Sequence, residues 1–139
     1  MTDAQIARLA RGFCDCTLPK QEWTHGAHFA TALWLILNRP EVVAERDMPG
    51  MIRRYNESVG GVNDDHGGYH ETITLASLRM TRDLLAGLGT DATPAGAFAA
   101  LIRSPLGNKD WPLAYWTPAR LYSVEARRSW VEPDIAPLP

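Results

Sequence analysis

The sequence predicts an all-α fold: a single-domain helical bundle of about five main helices, with a Pro- and Trp-rich C-terminal tail packed across it. Three observations predict it. Apolar residues return at three- and four-residue spacing in segment after segment, and no stretch alternates apolar and polar residues as a half-buried strand does. Gly and Pro, 11 and 10 of the 139 residues, punctuate the chain often enough for short helices joined by structured connections. A mass of 15.4 kDa suits one domain over residues 1–139.

Thr2 followed by Gln5 reads as a capping box, and Ile6, Leu9, Ala10 and Phe13 then recur at helical spacing, so a first helix is expected over about residues 3 to 15. Thr17-Leu18-Pro19-Lys20 connects it to a second helix, capped by Thr24, apolar nearly all round from Phe29 to Leu37 and therefore central. Asn38-Arg39-Pro40 stops it. Val42 and Val43 begin a short helix that must yield near Pro49-Gly50, and Pro49 then opens a separate segment, Met51 to Val59, ending at Gly60-Gly61. Residues Gly60 to Gly68 hold mostly turn-forming types and form a shaped loop. After it, His70, Ile73, Thr74, Ser77, Leu78, Thr81, Leu84, Leu85 and Leu88 trace one face of a long helix that Gly87 and Gly89 end. Thr93-Pro94 opens a further helix, closed by Ser104-Pro105. Beyond Gly107, prolines break the chain into one-turn helices, and three of the five tryptophans lie there.

Composition excludes several classes of function. A formal charge of -2, from 14 basic and 16 acidic residues, leaves no basic excess for a nucleic-acid backbone. Phe29 to Leu37 is too short to span a bilayer and the first residues lack the pattern of a secretion leader, so no membrane role is expected and a cytoplasmic location is. Cys14 and Cys16, two apart near a helix end, diverge and do not bridge; without a second cysteine pair they complete no metal site. No Gly-x-Ser-x-Gly elbow, phosphate-binding loop, dinucleotide fingerprint or calcium loop is present, and His70-Glu71 lacks the second histidine of H-E-x-x-H, since Thr74 stands there.

The functional signal is in the histidines. All four fall between residues 25 and 70, as His25-x-x-His28 and His66-x-x-x-His70, with Glu71 following. Positions three apart share a helix face, close enough for two imidazoles to reach one ion. His28 shares its face with Ala32 and Leu35, and His70 with Ile73 and Thr74, so both are expected to point inward. His25 and His70 sit near helix N-termini, where the macrodipole favours neutral imidazole, the form that binds metal. One reading makes His25, His28 and His70 ligands of a single divalent metal (zinc, iron, manganese or nickel), with Glu71 as a fourth ligand or the general base on bound water and Asp64 or Asp65 orienting a histidine. The other makes the histidines members of a structural hydrogen-bond network in a metal-free polar core or pocket. His66, beside two glycines, belongs to the loop.

Other polar residues divide the same way. Tyr55 and Asn56 offer a hydroxyl and an amide to a pocket or lie on a solvated helix face; Trp23 forms an aromatic wall or staples the second helix; Thr74 falls on the inward stripe of the long helix. Arg120, Arg127 and Arg128 around Glu125 read as surface pairing, and Trp111, Trp116 and Trp130 as packing, with an aromatic ligand-binding wall as the alternative.

Five segments carry a resemblance: Thr17-Leu18-Pro19-Lys20; Trp23-Thr24-His25-x-Ala27-His28; Arg54-Tyr55-Asn56; Gly68-Tyr69-His70-Glu71-Thr72-Ile73-Thr74; and Glu125-Ala126-Arg127-Arg128-x-Trp130-Val131-x-Pro133-Asp134. Together they resemble a family of small uncharacterised bacterial proteins with W-T-H-x-A-H and Y-H-E-T motifs. The resemblance runs nearly end to end and implies one domain centred on His25, His28, His70 and Glu71; it implies no activity. A fainter likeness to DinB-type helical metal proteins rests on ligand count and helix content alone, and the spacing differs. Two functions are therefore expected as alternatives: a His-lined site holding a metal and a small polar molecule, with hydrolytic or acid-base chemistry, or a non-enzymatic ligand-binding or interaction domain.

Overall fold

A computed structural model describes all 139 residues, and it is helical throughout, with seven α-helices and no strand. Helix α1 spans Asp3–Cys14 and starts on the expected capping box: Thr2 Oγ1 accepts from the Gln5 N–H at 3.1 Å, and Gln5 Oε1 accepts from the Thr2 N–H at 2.8 Å. Its buried face is Ile6, Leu9, Ala10 and Phe13. A single 3-10 turn, Lys20–Glu22, leads to α2, His25–Asn38, whose first turn is capped by Thr24 accepting from the Ala27 N–H at 3.2 Å. Every residue of α2 from Phe29 to Leu35 is buried.

Helix α3 runs unbroken over Ala44–Ser58, through Pro49. This corrects the expectation of two segments meeting at that proline. Pro49 removes one amide hydrogen bond close to the helix start. Ala44, Met48, Ile52 and Tyr55 form one buried stripe on both sides of it, and that burial outweighs the missing bond. The Tyr55 hydroxyl donates to the Leu18 carbonyl at 2.8 Å, anchoring α3 to the α1–α2 connection.

Helix α4 spans Glu71–Leu88 and α5 spans Pro94–Arg103, the latter with Thr93 as cap and Pro94 in its first turn. The α5 start also meets the chain's beginning, where an Asp3 carboxylate oxygen accepts from the Ala95 N–H at 2.7 Å. Beyond α5 come two 3-10 turns, Pro105–Gly107 and Trp111–Ala114, then the short helices α6, Pro118–Leu121, and α7, Val124–Arg128. No helix is long and apolar enough to cross a membrane.

Helix α2 touches α1, α3, α4 and α5, and α4 touches α7. One apolar cluster joins α1, α2 and α3; a second joins Phe29 and Leu33 of α2, Ala76 of α4 and Leu101 of α5 to Trp111, Trp116, Leu121 and Val131. Trp116 is wholly buried, and its indole N–H donates to the Val131 carbonyl at 3.1 Å. At the start of α4 the buried Thr72 hydroxyl oxygen lies 2.7 Å from the Ala126 carbonyl, to which it donates, and 3.2 Å from the Val131 N–H, from which it accepts. Side chains of α2 and α4 thus hold the C-terminal segment by its backbone, and the ground between those helices is where the histidines lie.

Candidate functional site

His25 is the first residue of α2. Its ring Nε2–H donates to the Leu106 carbonyl at 2.8 Å, and the ring meets Phe29 edge-on. His28, one turn later, is held differently. Its ring stacks on Trp23 at 4.0 Å between centroids, and Trp23 in turn stacks on Phe13 at 4.6 Å, so three aromatic planes lie in a row. The His28 ring nitrogens make no hydrogen bond to protein.

His70 is not in the first turn of α4 but is its cap. Nδ1 accepts from the Ile73 N–H at 3.1 Å, and Nε2–H donates to the Leu121 carbonyl at 2.7 Å. Both nitrogens are committed, which fixes the tautomer and leaves no lone pair for an ion. Glu71 accepts from the Tyr69 hydroxyl at 2.5 Å, and Arg53 lies over the Tyr69 ring at 4.3 Å. Burial and the Glu71 carboxylate push the Tyr69 hydroxyl pKa far above its ordinary value, while the Thr74 hydroxyl and Arg53 oppose them. Asp64 is exposed on the loop, accepting from the His66 N–H at 2.9 Å, and Asp65 pairs with Arg128. The three histidines, Glu71 and Asp64 therefore do not converge on one point: His25 and His70 bond separate backbone carbonyls, His70 with both nitrogens engaged, and no group of three or more His, Cys, Asp or Glu side chains is placed to hold a metal ion.

What does converge is a cleft between α2, α3 and α4, with two lobes that meet at His28, Ile52, Ile73 and Thr74, residues lining both. The inner lobe, about 100 Å³, has walls of Phe29, Ala32, Met48, Leu78 and Trp111, with Ser77, Thr81 and Lys109 as polar members. The outer lobe, about 430 Å³, is bounded by Trp23, Tyr55, Asn56, Tyr69 and His70, by the glycine-rich loop, and by Lys20. Sizes of this order suit a small organic ligand. Of the residues singled out from sequence, Trp23, His25, His28, Tyr55, Asn56, His70 and Thr74 line the cleft, whereas Glu71 stands behind Tyr69 and Asp64 borders a separate shallow depression with Arg53 and Arg127.

Sequence reasoning missed Lys20, Lys109 and the apolar residues of the waist as site residues, and favoured packing over a ligand wall for Trp111, which lines the inner lobe. One signal was available: Lys20 and Lys109 are the chain's only lysines. Asn63, also passed over, organises the loop. Its Oδ1 accepts from the Asn56 amide at 3.0 Å and the Tyr69 N–H at 3.0 Å, and its Nδ2 donates to the Arg53 carbonyl at 3.0 Å. The Trp23 indole N–H, at the edge of the outer lobe, has no protein acceptor.

His28 is exposed to solvent, yet protein crowds it closely enough that burial, helped by nearby His25, pulls its pKa down from 6.5 to about 4. A side chain that is both accessible and surrounded lines a concavity. At neutral pH it presents an uncharged imidazole, able to donate from one nitrogen and accept at the other. Burial also lowers the His70 pKa, and Arg127 adds to that.

These depressed values set the sign of a pH effect. Between 6.5 and about 4 the unfolded chain holds a proton at residue 28 that the folded chain does not, so stability falls as pH falls through this window. Solvent in the cleft screens the effect to about 1 kcal/mol for His28. We expect urea-unfolding free energies to decline from pH 6.5 to 4.5, a shallower decline in His28→Gln, and an NMR titration midpoint for the His28 ring near 4. A midpoint near the free-imidazole value would contradict the enclosure described here.

No protein-family model, no curated protein and no solved structure matches this chain.

Proposed function

We propose that this chain binds a small molecule in the cleft between α2, α3 and α4, with the neutral imidazole of His28 as the hydrogen-bonding group at its waist. The observation that carries this reading is the contrast among the three histidines. His70 has both ring nitrogens bonded and His25 has its Nε2–H bonded to a backbone carbonyl, whereas His28, on the same turn as His25, is stacked on Trp23, lines both lobes and has neither nitrogen bonded to protein. The imidazole is held in place by the aromatic stack and meets solvent rather than a protein partner, so a ligand can take the place of water at its nitrogens without breaking a protein hydrogen bond. In this reading residues 1–139 form one helical bundle, and the C-terminal segment packed across it completes the inner lobe through Lys109 and Trp111. His25 and His70 are structural, and Tyr69 with Glu71 stiffens the outer wall.

The test is a ligand-observed NMR screen of a fragment library against wild type, Ile73→Trp, which fills the waist, and His28→Ala, which removes the imidazole. Hits are expected to bind wild type, to lose binding in Ile73→Trp while its helical circular dichroism is retained, and to weaken about five- to twentyfold in His28→Ala. Hits that bind all three equally would overturn the assignment. Metal content of the same untagged preparations by inductively coupled plasma mass spectrometry separates this reading from the metal-site alternative: near-stoichiometric metal in wild type that disappears in His28→Ala would favour the alternative.

A further inference from the structure

The charged lining of the cleft is one-sided. The residues around both lobes include two lysines, Lys20 and Lys109, and no aspartate, glutamate or arginine. That is unexpected in a chain with 16 acidic and 14 basic residues, of which only two are lysines. Every ion pair in the structure uses an arginine, and neither lysine takes part in an ion pair or a side-chain hydrogen bond. The nearest carboxylate to Lys20 in sequence, Glu22, is engaged by Arg8; Asp110, beside Lys109, is exposed and forms no ion pair with it; and Glu71, next to His70 of the outer lobe, is engaged by the Tyr69 hydroxyl. Each lobe therefore combines an apolar wall with a single solvent-exposed ammonium at its rim that no carboxylate of the lining faces, and the two meet at a neutral imidazole and the Thr74 hydroxyl.

We infer that the ligand of this cleft is an organic anion with an apolar body, a carboxylate or an equivalent oxyanion, whose charge is met by Lys109 or Lys20 and whose hydrocarbon or aromatic part lies against Phe29, Ile52, Ile73 and Trp111. The inference rests on the binding role proposed for the cleft and adds its ligand class. A cation would meet two like charges and no carboxylate, with nothing to repay its lost hydration. A neutral apolar molecule gains the same wall contacts but forms no ion pair, the exposed ammonium keeping its water beside it. A charge-assisted hydrogen bond to an ammonium at the rim gives the anion a modest advantage over both.

Three probes with one hydrocarbon chain separate these cases at pH 7: octanoate, 1-octanol and octylammonium, each titrated calorimetrically and by amide NMR shifts at His28, Thr74 and Lys109. Octanoate is expected to bind about five- to tenfold more tightly than octanol, with octylammonium weakest. Lys20→Gln/Lys109→Gln should bring octanoate to the octanol level and leave octanol unchanged, and the two single variants then identify the end that holds the acid. Arg79→Gln/Arg103→Gln changes the net charge equally at exposed positions outside the cleft and should leave the preference intact. If octanol equals octanoate in wild type, or if the double lysine variant keeps the preference, the anion assignment falls while the cleft stands. If none of the three shifts the cleft amides, the anion assignment and the binding role fall together.

Discussion

Gly68→Ala is expected to lower the unfolding free energy by about 3 to 4 kcal/mol. Gly68 has φ of +77°, and a Cβ there would lie 2.4 Å from the Val62 carbonyl oxygen, 2.6 Å from Asn63 Oδ1 and 2.8 Å from Asn63 Cα. Two costs add: the left-handed backbone that a side chain disfavours, and a collision with the backbone rather than with a flexible tip. The collision falls on Asn63, so relief by local movement breaks the bonds that tie Asn56, Arg53 and Tyr69 to the loop. Outer-lobe ligand binding should weaken with stability. Gly87→Ala is the control, because nothing stands within 4 Å of its added Cβ and the position lies inside α4, where alanine is the better helix former. Urea denaturation checks the pair, and a Gly68→Ala protein as stable as Gly87→Ala would show that the loop is not packed as described.

His70→Ala is expected to cost about 3 kcal/mol, the sum of a lost helix cap and a carbonyl left without its donor. His70 is 8% exposed, and its two nitrogens join the first turn of α4 to the last residue of α6. His70→Asn keeps a short acceptor near the Ile73 N–H but cannot reach the Leu121 carbonyl, so it should recover about 1 kcal/mol, the cap's share. His66→Ala, at an exposed loop position, should be neutral. Denaturation with amide exchange at Ile73 reads both effects. Full stability in His70→Ala together with loss of bound metal would instead make this imidazole a ligand.

The contrast between these residues and the helix starts explains what the sequence made legible. Thr2 with Gln5, Thr24 and Thr93-Pro94 act on groups two or three residues away, so their effect is written in the local pattern. All-helical structure follows from such signals. Pro49 has an equally local signal that misleads, because Ala44, Met48, Ile52 and Tyr55 bury a common stripe whose partners are on other helices. Three of the four clustered histidines, His25, His28 and His70, line the cleft, but what each ring bonds to depended on distant partners. His70 donates to a carbonyl 51 residues away and His25 to one 81 residues away, pairings that no spacing rule contains. Lys20 and Lys109 belong to connections without helical periodicity, and only the fold brings both to one cleft.

The inner lobe has a further consequence for cooperativity. Its α2 and α4 walls come from the middle of the chain, while Lys109 and Trp111 come from the segment after α5, which is itself held by the carbonyls of Leu106 and Leu121. An occupant of that lobe touches both stretches at once, so the free energy it gains on binding is also free energy holding the C-terminal segment down. Affinity and docking are then linked quantities. A substitution that frees the segment weakens the ligand without touching it, and a saturating ligand slows amide exchange as far along the chain as Val131.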